Sequence, residues 1–514
     1  MSSMKRKMNE MESKLLRYDR LERKVKCLSD CLNASVALIT GEIANQSSMN
    51  VKLVESFDNL ESRIDDMEDN MKAKLVFHKQ LIDNQRWKYS VPPVDSSELI
   101  EEGYDEDEIQ NITEMLSTMK NSTTAMRQGE HFSGGGFGVS SGLEDDDETL
   151  EWVDIMCGHY KEFADALSQY RHYLIQSSQG HLFCFSLCNV QVMPFVLEWL
   201  EKSLKDIRFR ELQLEHNDSG HNLISFATKA LQNNDSCQVL TMRGNQIESD
   251  DDYLQKKNDM LWETIGNHSS LRTLNMSSCF SSGPFLLYTN PPTALGRALP
   301  KFRNVTHLEL MKNGITGETV TYIADFLASN PALLHLQLSQ NPLNDDDSAQ
   351  IARGLVGNTK LRLLEMECNR TMTQVGAKTL RRTVYGDDKH SANETSLNSI
   401  AGSNHFCEIR SDWYETQCNS FRKTSQMNRR WKLYDTLSYH HKKSSNVLEI
   451  VDKELPDSET NVAQKLMPRV LESVQLFANC SEKGKREKDF ANPLSIVYEI
   501  MRGWRMPSLY DYHH

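Results

Sequence analysis

The sequence lacks any apolar run of about 18 residues, the length that a helix needs to cross a membrane. Residues 1–24 carry charges throughout and contain no apolar core segment, so the sequence predicts no secretory signal peptide. It has 11 cysteines, an odd number, and their spacing does not match a disulfide framework. We therefore expect a protein of the cytoplasm, with the nucleus as a second location, that does not enter a membrane.

The sequence also lacks the common motifs of catalysis and metal binding. It contains no G-x-x-x-x-G-K-[ST] phosphate loop, no H-E-x-x-H and no paired C-x-x-C. Cys27 and Cys31 stand four residues apart, as do Cys184 and Cys188, and neither pair predicts a metal site. One G-x-S-x-G match centres on Ser140, but a nucleophilic serine of this type needs a preceding strand, and a linker is expected here. The sequence thus predicts a protein that is not an enzyme and holds no cofactor or metal.

What the sequence does contain is one motif in six copies: an apolar residue, two variable residues, leucine, one variable residue, an apolar residue, two variable residues and a compact polar residue. Its middle leucines are separated by 28 or 34 residues and are Leu212, Leu240, Leu274, Leu308, Leu336 and Leu364. A period near 28 with this pattern is typical of a leucine-rich-repeat solenoid. Each repeat adds one strand to a parallel stack, with alternate apolar side chains in the core.

The last position of the motif predicts a ladder of buried side chains. It is occupied by Asn217, Asn245, Cys279, Asn313, Asn341 and Asn369. A buried asparagine amide can satisfy backbone groups of the turn and of the adjacent repeat. Leaving such a group unpaired costs about 1–3 kcal/mol. Asparagine at five of six equivalent positions therefore favours true repeats over the alternative, ordinary strand–helix units with incidental leucines.

After each motif the apolar spacing becomes helical, as in residues 320–327 and 349–355. We therefore predict an α/β solenoid, a horseshoe with parallel strands on the concave face and helices on the convex face. Phe185 and Leu187 indicate a degenerate opening repeat. Leu397 and Ile400 indicate a poor closing one, in which Asn404 stands one place early. These limits assign residues 181–405 to the solenoid.

Residues 1–88 are predicted to form coiled-coil helices, because apolar residues alternate in steps of three and four. They are Met4, Met8, Met11, Leu15, Tyr18, Leu21, Val25, Leu28 and Leu32, then Val54, Phe57, Leu60, Ile64, Met67, Met71, Leu75 and Ile82. We favour self-association through residues 4–82. The alternatives are an amphipathic helix folded back onto the solenoid, or a two-helix hairpin bent near Gly41.

Residues 89–150 are predicted to be a flexible acidic linker. Between Glu98 and Glu151 there are 15 acidic residues against 2 basic ones, with a glycine-rich run at 134–138 and at most a short helix at 109–119. An alternative is an acidic segment that attracts a basic partner. Residues 151–180, with helical spacing from Trp152 to Leu174, are predicted to cap the solenoid at its start. Residues 406–514, with helices expected at 421–439, 463–478 and 493–504, are predicted to cap its end.

The repeats resemble those of ribonuclease-inhibitor-type leucine-rich-repeat proteins over residues 180–405. Three shorter stretches, Ser396–His405, Asn428–Lys432 and Pro493–Arg502, resemble intracellular leucine-rich-repeat families of diatoms. The resemblance implies a curved binding surface and no particular activity, and neither family carries catalytic residues over to this chain.

The residues that flank each buried pair are predicted to face the concave surface and to bind a partner. They are Glu211, Gln213, Glu215, Arg243, His307, Glu309, Lys312, His335, Gln337, Glu365 and Glu367. This set is acidic on balance and has no continuous basic stripe, which argues against nucleic acid. It favours a protein or peptide ligand with some basic character. A basic run, Arg429–Arg430 with His440–Lys443, fits a solvated helix face better than a nuclear-import or anionic-surface patch.

The sequence thus predicts a non-enzymatic scaffold that binds a protein ligand on the repeats and oligomerises through its N-terminal helices. One alternative is a regulator of a small GTPase, because activators of Ran carry similar repeats, with Arg243 or Arg272 as the exposed arginine. Another alternative is a substrate receptor of a ubiquitin ligase, for which residues 152–174 offer no convincing adaptor motif.

Overall fold

A computed structural model of the protein describes residues 20–35, 60–65, 67–68, 71–72, 75, 79, 87–93, 95–128, 136–140, 154–174, 183–205, 207–217, 220–245, 247, 252–280, 293–385, 400, 403–412, 419 and 422–442. The chain divides into two compact units, Met1–Asn245 and Gln246–His514, and each is described by itself. In the described part of both units, parallel strands alternate with helices. This architecture fits an α/β solenoid.

The first unit contains helical residues 20–35 and, with gaps, 60–79. Its helices and strands then follow in the order α1 (Ser96–Glu102), α2 (Glu106–Gln128), β1 (Gly136–Ser140), α3 (Met156–Leu174), β2 (Phe183–Cys188), α4 (Pro194–Leu204), β3 (Phe209–Glu215), α5 (Gly220–Gln232) and β4 (Val239–Thr241). The strands pair in chain order, all in parallel.

The second unit repeats the same alternation. Its order is α6 (Asp252–Asn267), β5 (Thr273–Asn275), α7 (Thr293–Ala298), a 3-10 turn (Leu299–Lys301), β6 (His307–Glu309), α8 (Glu318–Ala328), β7 (His335–Gln337), α9 (Asp345–Val356), β8 (Leu363–Glu365), α10 (Gln374–Tyr385), β9 (Glu408–Arg410) and α11 (Ser425–Lys442). Strands β5 to β9 also pair in parallel and in chain order.

The predicted register of the middle leucines is confirmed within each unit. In the first unit Leu212 pairs with Phe185 on one side and with Leu240 on the other. In the second unit the pairing runs Leu274, Leu308, Leu336, Leu364 and then Ile409. The leucines are at most 1% exposed, so one apolar row runs through the core of each unit.

The helices bury one apolar face each and pack closely on their neighbours. In α8, Val320, Ile323, Ala324 and Leu327 are buried at helical spacing. Helix α9 approaches α8 so closely that a Cβ atom at Gly354 would lie 2.5 Å from the carbonyl oxygen of Ala324. A side chain at this position would therefore push the two helices apart.

Two aspartates, Asp345 and Asp347, link the N-termini of neighbouring helices through hydrogen bonds. Asp347 takes part in the capping box of α9 and also accepts hydrogen bonds from the hydroxyl of Thr316 and the N–H of Gly317, at the start of α8. Asp345 accepts from the N–H and the hydroxyl of Thr373, at the start of α10. These hydrogen bonds hold the pKa of Asp345 below its ordinary value. The acidic run thus caps helices of three successive repeats.

The prediction of a flexible linker at residues 89–150 is wrong for residues 95–128 and 136–140. Helix α2 buries Ile112, Met115, Leu116 and Met119, and places its acidic residues on the exposed face and in the first turn, where they favour a helix. Net charge alone therefore misled, because the apolar residues recur at helical spacing. The glycine-rich residues 136–138 belong to β1, which pairs with β2 over five positions. Backbone pairing here outweighs the weak strand preference of glycine.

The predicted start of the solenoid and the predicted capping helix also need correction. Helix α3 confirms the predicted helix from Met156 to Leu174, while Trp152 lies outside the described residues. The helix lies between β1 and β2 and packs against α2 and α4. It is therefore one of the repeating helices. Parallel strands begin at Gly136 and not near residue 181.

The predicted closing repeat was misplaced as well. Strand β9 lies at Glu408–Arg410, inside the region assigned to the helical cap, whereas Leu397 lies outside the described residues. Asn404 is not a ladder residue. It accepts hydrogen bonds from the N–H groups of Phe406 and Cys407 just before β9, and its Nδ2 donates to the carbonyl of Leu355.

Helix α11 agrees with the helix predicted at 421–439, and the helices predicted at 463–478 and 493–504 lie outside the described residues. The N-terminal residues 20–35 are helical, as predicted, while the bend expected near Gly41 lies outside the described part. The coiled coil stays a prediction.

One buried lysine fixes α11 to the end of the repeats. Lys432 is fully buried, and its Nζ donates to the carbonyl oxygens of Val384 and Asn404. The same Nζ lies 3.2 Å from Nδ1 of His405. Burial, Lys432 and Arg429 together lower the pKa of His405 from 6.5 to about 3. His405 therefore stays neutral under α11 at neutral pH.

Stability should fall on acidification because of His405. Between pH 6.5 and pH 3 the unfolded chain binds a proton that the folded chain does not. The free energy of unfolding therefore falls by up to ~1.4 kcal/mol for each pH unit below pH 6.5. The variant His405→Gln should lose less stability than the wild type between pH 7 and pH 5, measured by urea denaturation. Parallel pH profiles of the two proteins would contradict this assignment.

Candidate functional site

The predicted ladder of side chains that follow the strands is buried, and it fixes the backbone that carries the exposed side of the strands. Asn217, Asn245, Cys279, Asn313, Asn341 and Asn369 are at most 3% exposed. Asn341 illustrates the role of the amide. Its Oδ1 accepts from the N–H groups of Asn313 and Ile315 in the preceding repeat, at 2.9 and 3.1 Å. Its Nδ2 donates to the carbonyl oxygens of Leu310 and Leu338, both at 2.9 Å.

Each ladder residue follows a residue in the left-handed backbone conformation. These preceding residues are His216, Gly244, Ser278, Lys312, Gln340 and Cys368, with φ between 50° and 72°. Asn189 has the same conformation before Val190, whose N–H donates to Asn217. Only one of the seven is glycine, although this conformation costs other residues about 1–2 kcal/mol. The buried amide bonds of the ladder offset that cost. The turn therefore has the same shape in repeat after repeat, and the strand before it points the same way.

This regular backbone presents side chains in rows, polar except for Leu363, on the strand face, which we define as the side of β5 to β9 opposite the buried middle leucines. The first row follows the middle leucine and contains Asn275, Glu309, Gln337, Glu365 and Arg410, in direct register across the strands. The second row precedes it and contains Thr273, His307, His335, Leu363 and Glu408. Neighbouring members of one row lie on adjacent strands, whose backbones are about 4.8 Å apart.

A chain of hydrogen-bonded histidine, carboxylate and guanidinium groups crosses three strands of this face. The Nε2 atom of His335 lies 2.8 Å from Oε2 of Glu365, and a guanidinium nitrogen of Arg410 donates to Oε1 of the same carboxylate at 2.8 Å. The Nε of Arg410 also donates to Glu408 at 3.1 Å. Burial alone would lower the pKa of Arg410, but the hydrogen bonds and charges of Glu408 and Glu365 raise it above its ordinary value. Arg410 is thus a fixed cation between two carboxylates.

Two histidines lie side by side at the centre of the face. The rings of His307 and His335 are perpendicular, with centroids 5.8 Å apart. Burial lowers the pKa of His307, and His335 lowers it further. His307 is therefore neutral at neutral pH, and its Nδ1 lies 2.9 Å from the hydroxyl of Thr306.

The other predicted residues of the second unit differ in exposure. Glu309 accepts a hydrogen bond from the Asn275 amide at 2.7 Å, and Gln337 donates to the sulfur of Met311 at 3.4 Å. Lys312 and Glu367 are exposed at the ends of their strands. The structure thus brings Glu309, Gln337 and the Glu365 network onto one face, with Lys312 and Glu367 at its edge.

The predicted residues of the first unit form a smaller group. Gln213 donates to Glu211 at 2.6 Å, and the other carboxylate oxygen of Glu211 lies 3.4 Å from the sulfur of Cys184. Glu215 ends β3. Burial raises the pKa of Cys188 most, and the negative charge of Glu215 raises it further. Arg243 lies in the turn after β4, where its carbonyl accepts from the N–H of His216.

The cysteine and serine motifs do not assemble a reactive site among the described residues. Burial raises the pKa of Cys184 to about 11 and that of Cys188 to about 12, so both thiols stay protonated. Ser140 is the last residue of strand β1, in register with Cys188, and not part of a linker as expected. In the described ranges, no three histidine, cysteine or acidic residues lie close enough together to hold a metal ion.

Sequence reasoning missed Glu408, Arg410 and Asp412, which complete the strand face at β9. Asp412 accepts the N–H of Cys368 at 2.6 Å. Their signal is a second set of buried asparagines that precede the strands: Asn234, Asn358 and Asn404 each accept the N–H of the residue two positions later. Asn404 therefore marks the approach to a strand, in which the half-buried Ile409 pairs with Leu364.

A scan against protein-family models gives no match for this chain, and a search of curated proteins finds none that is similar to it. In the part of the chain that the structure describes, no helix combines the length with the hydropathy that crossing a membrane requires.

Removing a ladder amide should destabilise the repeats. Asn341→Ala removes the side-chain amide that pairs with the N–H groups of Asn313 and Ile315 and with the carbonyl of Leu310, so the free energy of unfolding should fall by about 1–3 kcal/mol. Urea denaturation measures this loss. Gln374→Ala, at an exposed position, serves as the control. Equal midpoints for Asn341→Ala and the control would contradict the role of the amide.

Removing Arg410 should destabilise the end of the strand face through Glu408, whose side chain is only 2% exposed. Arg410→Met takes the guanidinium away from this carboxylate and should lower the free energy of unfolding by about 1–3 kcal/mol. Adding Glu408→Gln removes the buried charge and should restore part of the loss. A double variant that is less stable than Arg410→Met in urea denaturation would show that the pair does not act this way.

Proposed function

We propose that the protein is a ribonuclease-inhibitor-type leucine-rich-repeat scaffold that binds a protein or peptide on the strand face and catalyses no reaction. The observation that supports this most is the row of polar side chains in register from Asn275 to Arg410. Its backbone is fixed by the ladder, so a ligand meets a surface that needs little ordering on binding. A concave curvature of this face is part of the proposal.

The charge on the strand face favours a ligand with basic side chains. Its acidic members are Glu309, Glu365, Glu367, Glu408 and Asp412. Its basic members are Arg410 and, at the edge of the face, Lys312. Glu365 and Glu408 share the single positive charge of Arg410. Glu309 in the first row and the exposed Glu367 add negative charge to the face, and such charge attracts a ligand with basic side chains. Nucleic acid is a poor fit to this face, because binding it requires several cations along a stripe.

We further propose that the N-terminal helices bring copies of the chain together, so that weak single contacts add up to avidity. In the helical residues 20–35, Leu21 and Leu28 are 48% and 65% exposed. Apolar side chains so open to water, at heptad spacing, support association with another chain over a hairpin or a helix folded back onto the repeats.

The GTPase-regulator alternative gains little support from Arg272, one of its two candidate arginines. The Arg272 guanidinium donates to the carbonyl oxygens of Ser269 and Leu271 in its own loop, at 2.8 and 3.0 Å. An arginine that acts on a bound nucleotide must be free to reach it. Among the described residues, no contact specifically favours the ubiquitin-ligase alternative.

Selection of displayed peptides on the full-length protein tests the proposed binding face. Peptides rich in lysine and arginine should be enriched, and their binding should weaken as salt rises. The double variant Glu309→Lys/Glu367→Lys should raise the Kd of an enriched peptide roughly tenfold or more. Fluorescence anisotropy with a labelled peptide measures this change.

Asp325→Lys is the matched control, because it reverses an exposed charge on helix α8, away from the strand face. It should leave the Kd unchanged. If enriched peptides bind the strand-face variant as tightly as the wild type, or lose affinity equally with the control, the strand face is not the binding surface.

A further inference from the structure

Among the described residues of the N-terminal helices, the most exposed large apolar side chains all occupy one heptad position. Leu21, Leu28, Leu60 and Met67 are 48, 65, 41 and 57% exposed. Each follows an apolar residue by three positions and precedes one by four, which is heptad position d. We call these four residues the d row. The residues at position a, among them Val25 and Ile64, are less exposed.

The charges beside this stripe are sorted by sign. Position e, next to d, is occupied by Glu22, Ser29, Glu61 and Glu68. Position g, next to a, is occupied by Lys24, Cys31 and Arg63. One flank of the stripe is therefore acidic and the other basic.

This sorting distinguishes the two possible orientations of a helix pair. In a parallel pair, position g of one helix faces position e of the next heptad in its partner, so acid meets base. Arg63 then faces the partner's Glu68, and Arg17 stands at the same spacing before Glu22 in the sequence. In an antiparallel pair e faces e and g faces g, so acid would meet acid and base would meet base.

We propose that a second copy of this chain covers the d row and that the two copies pair in parallel and in register. This inference rests on the proposed self-association and adds its direction. The repeats of both copies then leave the coiled coil at the same end. Two strand faces are thus offered to neighbouring sites on one ligand, which favours ligands with repeated basic segments.

A double-mutant cycle in the full-length protein tests the direction. The singles are Arg63→Glu and Glu68→Arg, and the double combines them. Positions 63 and 68 are five apart, so they do not face each other within one helix and any coupling comes from the partner. Glu68 also pairs with Lys72 in its own helix, at 3.1 Å. The cycle cancels this contact because Glu68→Arg and the double variant both lack it.

Analytical ultracentrifugation gives the dimer dissociation constant of each protein. In a parallel dimer each single variant brings like charges together at two places, so each should weaken association roughly two- to thirtyfold. The double variant should recover most of that loss. If Glu68→Arg tightens the dimer and the double variant shows no coupling, the chains are antiparallel and the proposal is overturned. If the wild type is a monomer at every concentration, the proposed self-association fails first.

Cross-linking gives an independent answer. Leu28→Cys, in a background with Cys27→Ser and Cys31→Ser, places one thiol on the d row. Two d positions face each other at disulfide distance only when parallel helices are in register. The oxidised variant should run as a covalent dimer on a non-reducing gel. Asp30→Cys, at the outward heptad position f, should not. A dimeric protein in which Leu28→Cys fails to cross-link would overturn the parallel register.

Discussion

The buried amide after each strand is the interaction on which the repeats depend. Asn341 shows why: its side chain makes three hydrogen bonds to the preceding repeat and one to the Leu338 carbonyl of its own repeat, at 2.9 to 3.1 Å. The turn that it closes is strained, since Gln340 has a φ of 59°. The amide makes that turn favourable, and the same turn in every repeat keeps the strands parallel and in register.

A fixed turn has a direct consequence for binding. Because the strands cannot slide, the side chains opposite the core stand in rows about 4.8 Å apart, and contacts such as His335 to Glu365 repeat across strands. Cys279 marks where the ladder is weaker. Its N–H is still accepted by Asn313 at 2.7 Å, but a thiol cannot supply the two amide contacts. The solenoid thus tolerates one substitution while its neighbours keep the asparagine.

The sequence predicted the parts of the fold that follow a strict pattern. The register from Leu274 to Leu364 was correct because each leucine is buried for the same reason. It missed β1, β9 and most of α2. Gly136–Ser140 and Glu408–Arg410 form strands because they pair with a neighbouring strand. Their own residue types do not predict a strand. The pairing of Arg410 with Glu365 and Glu408 was equally hidden, since these residues lie up to 45 positions apart in the chain.

Hydrogen–deuterium exchange of the intact protein tests the amide ladder most directly. The N–H groups of Asn313, Ile315 and Asn341 end on buried side-chain amides. Peptides that cover residues 311–316 and 339–343 should therefore exchange as slowly as those from the buried face of α8. Exchange at the rate of an exposed turn would show that the amides do not hold the repeats together.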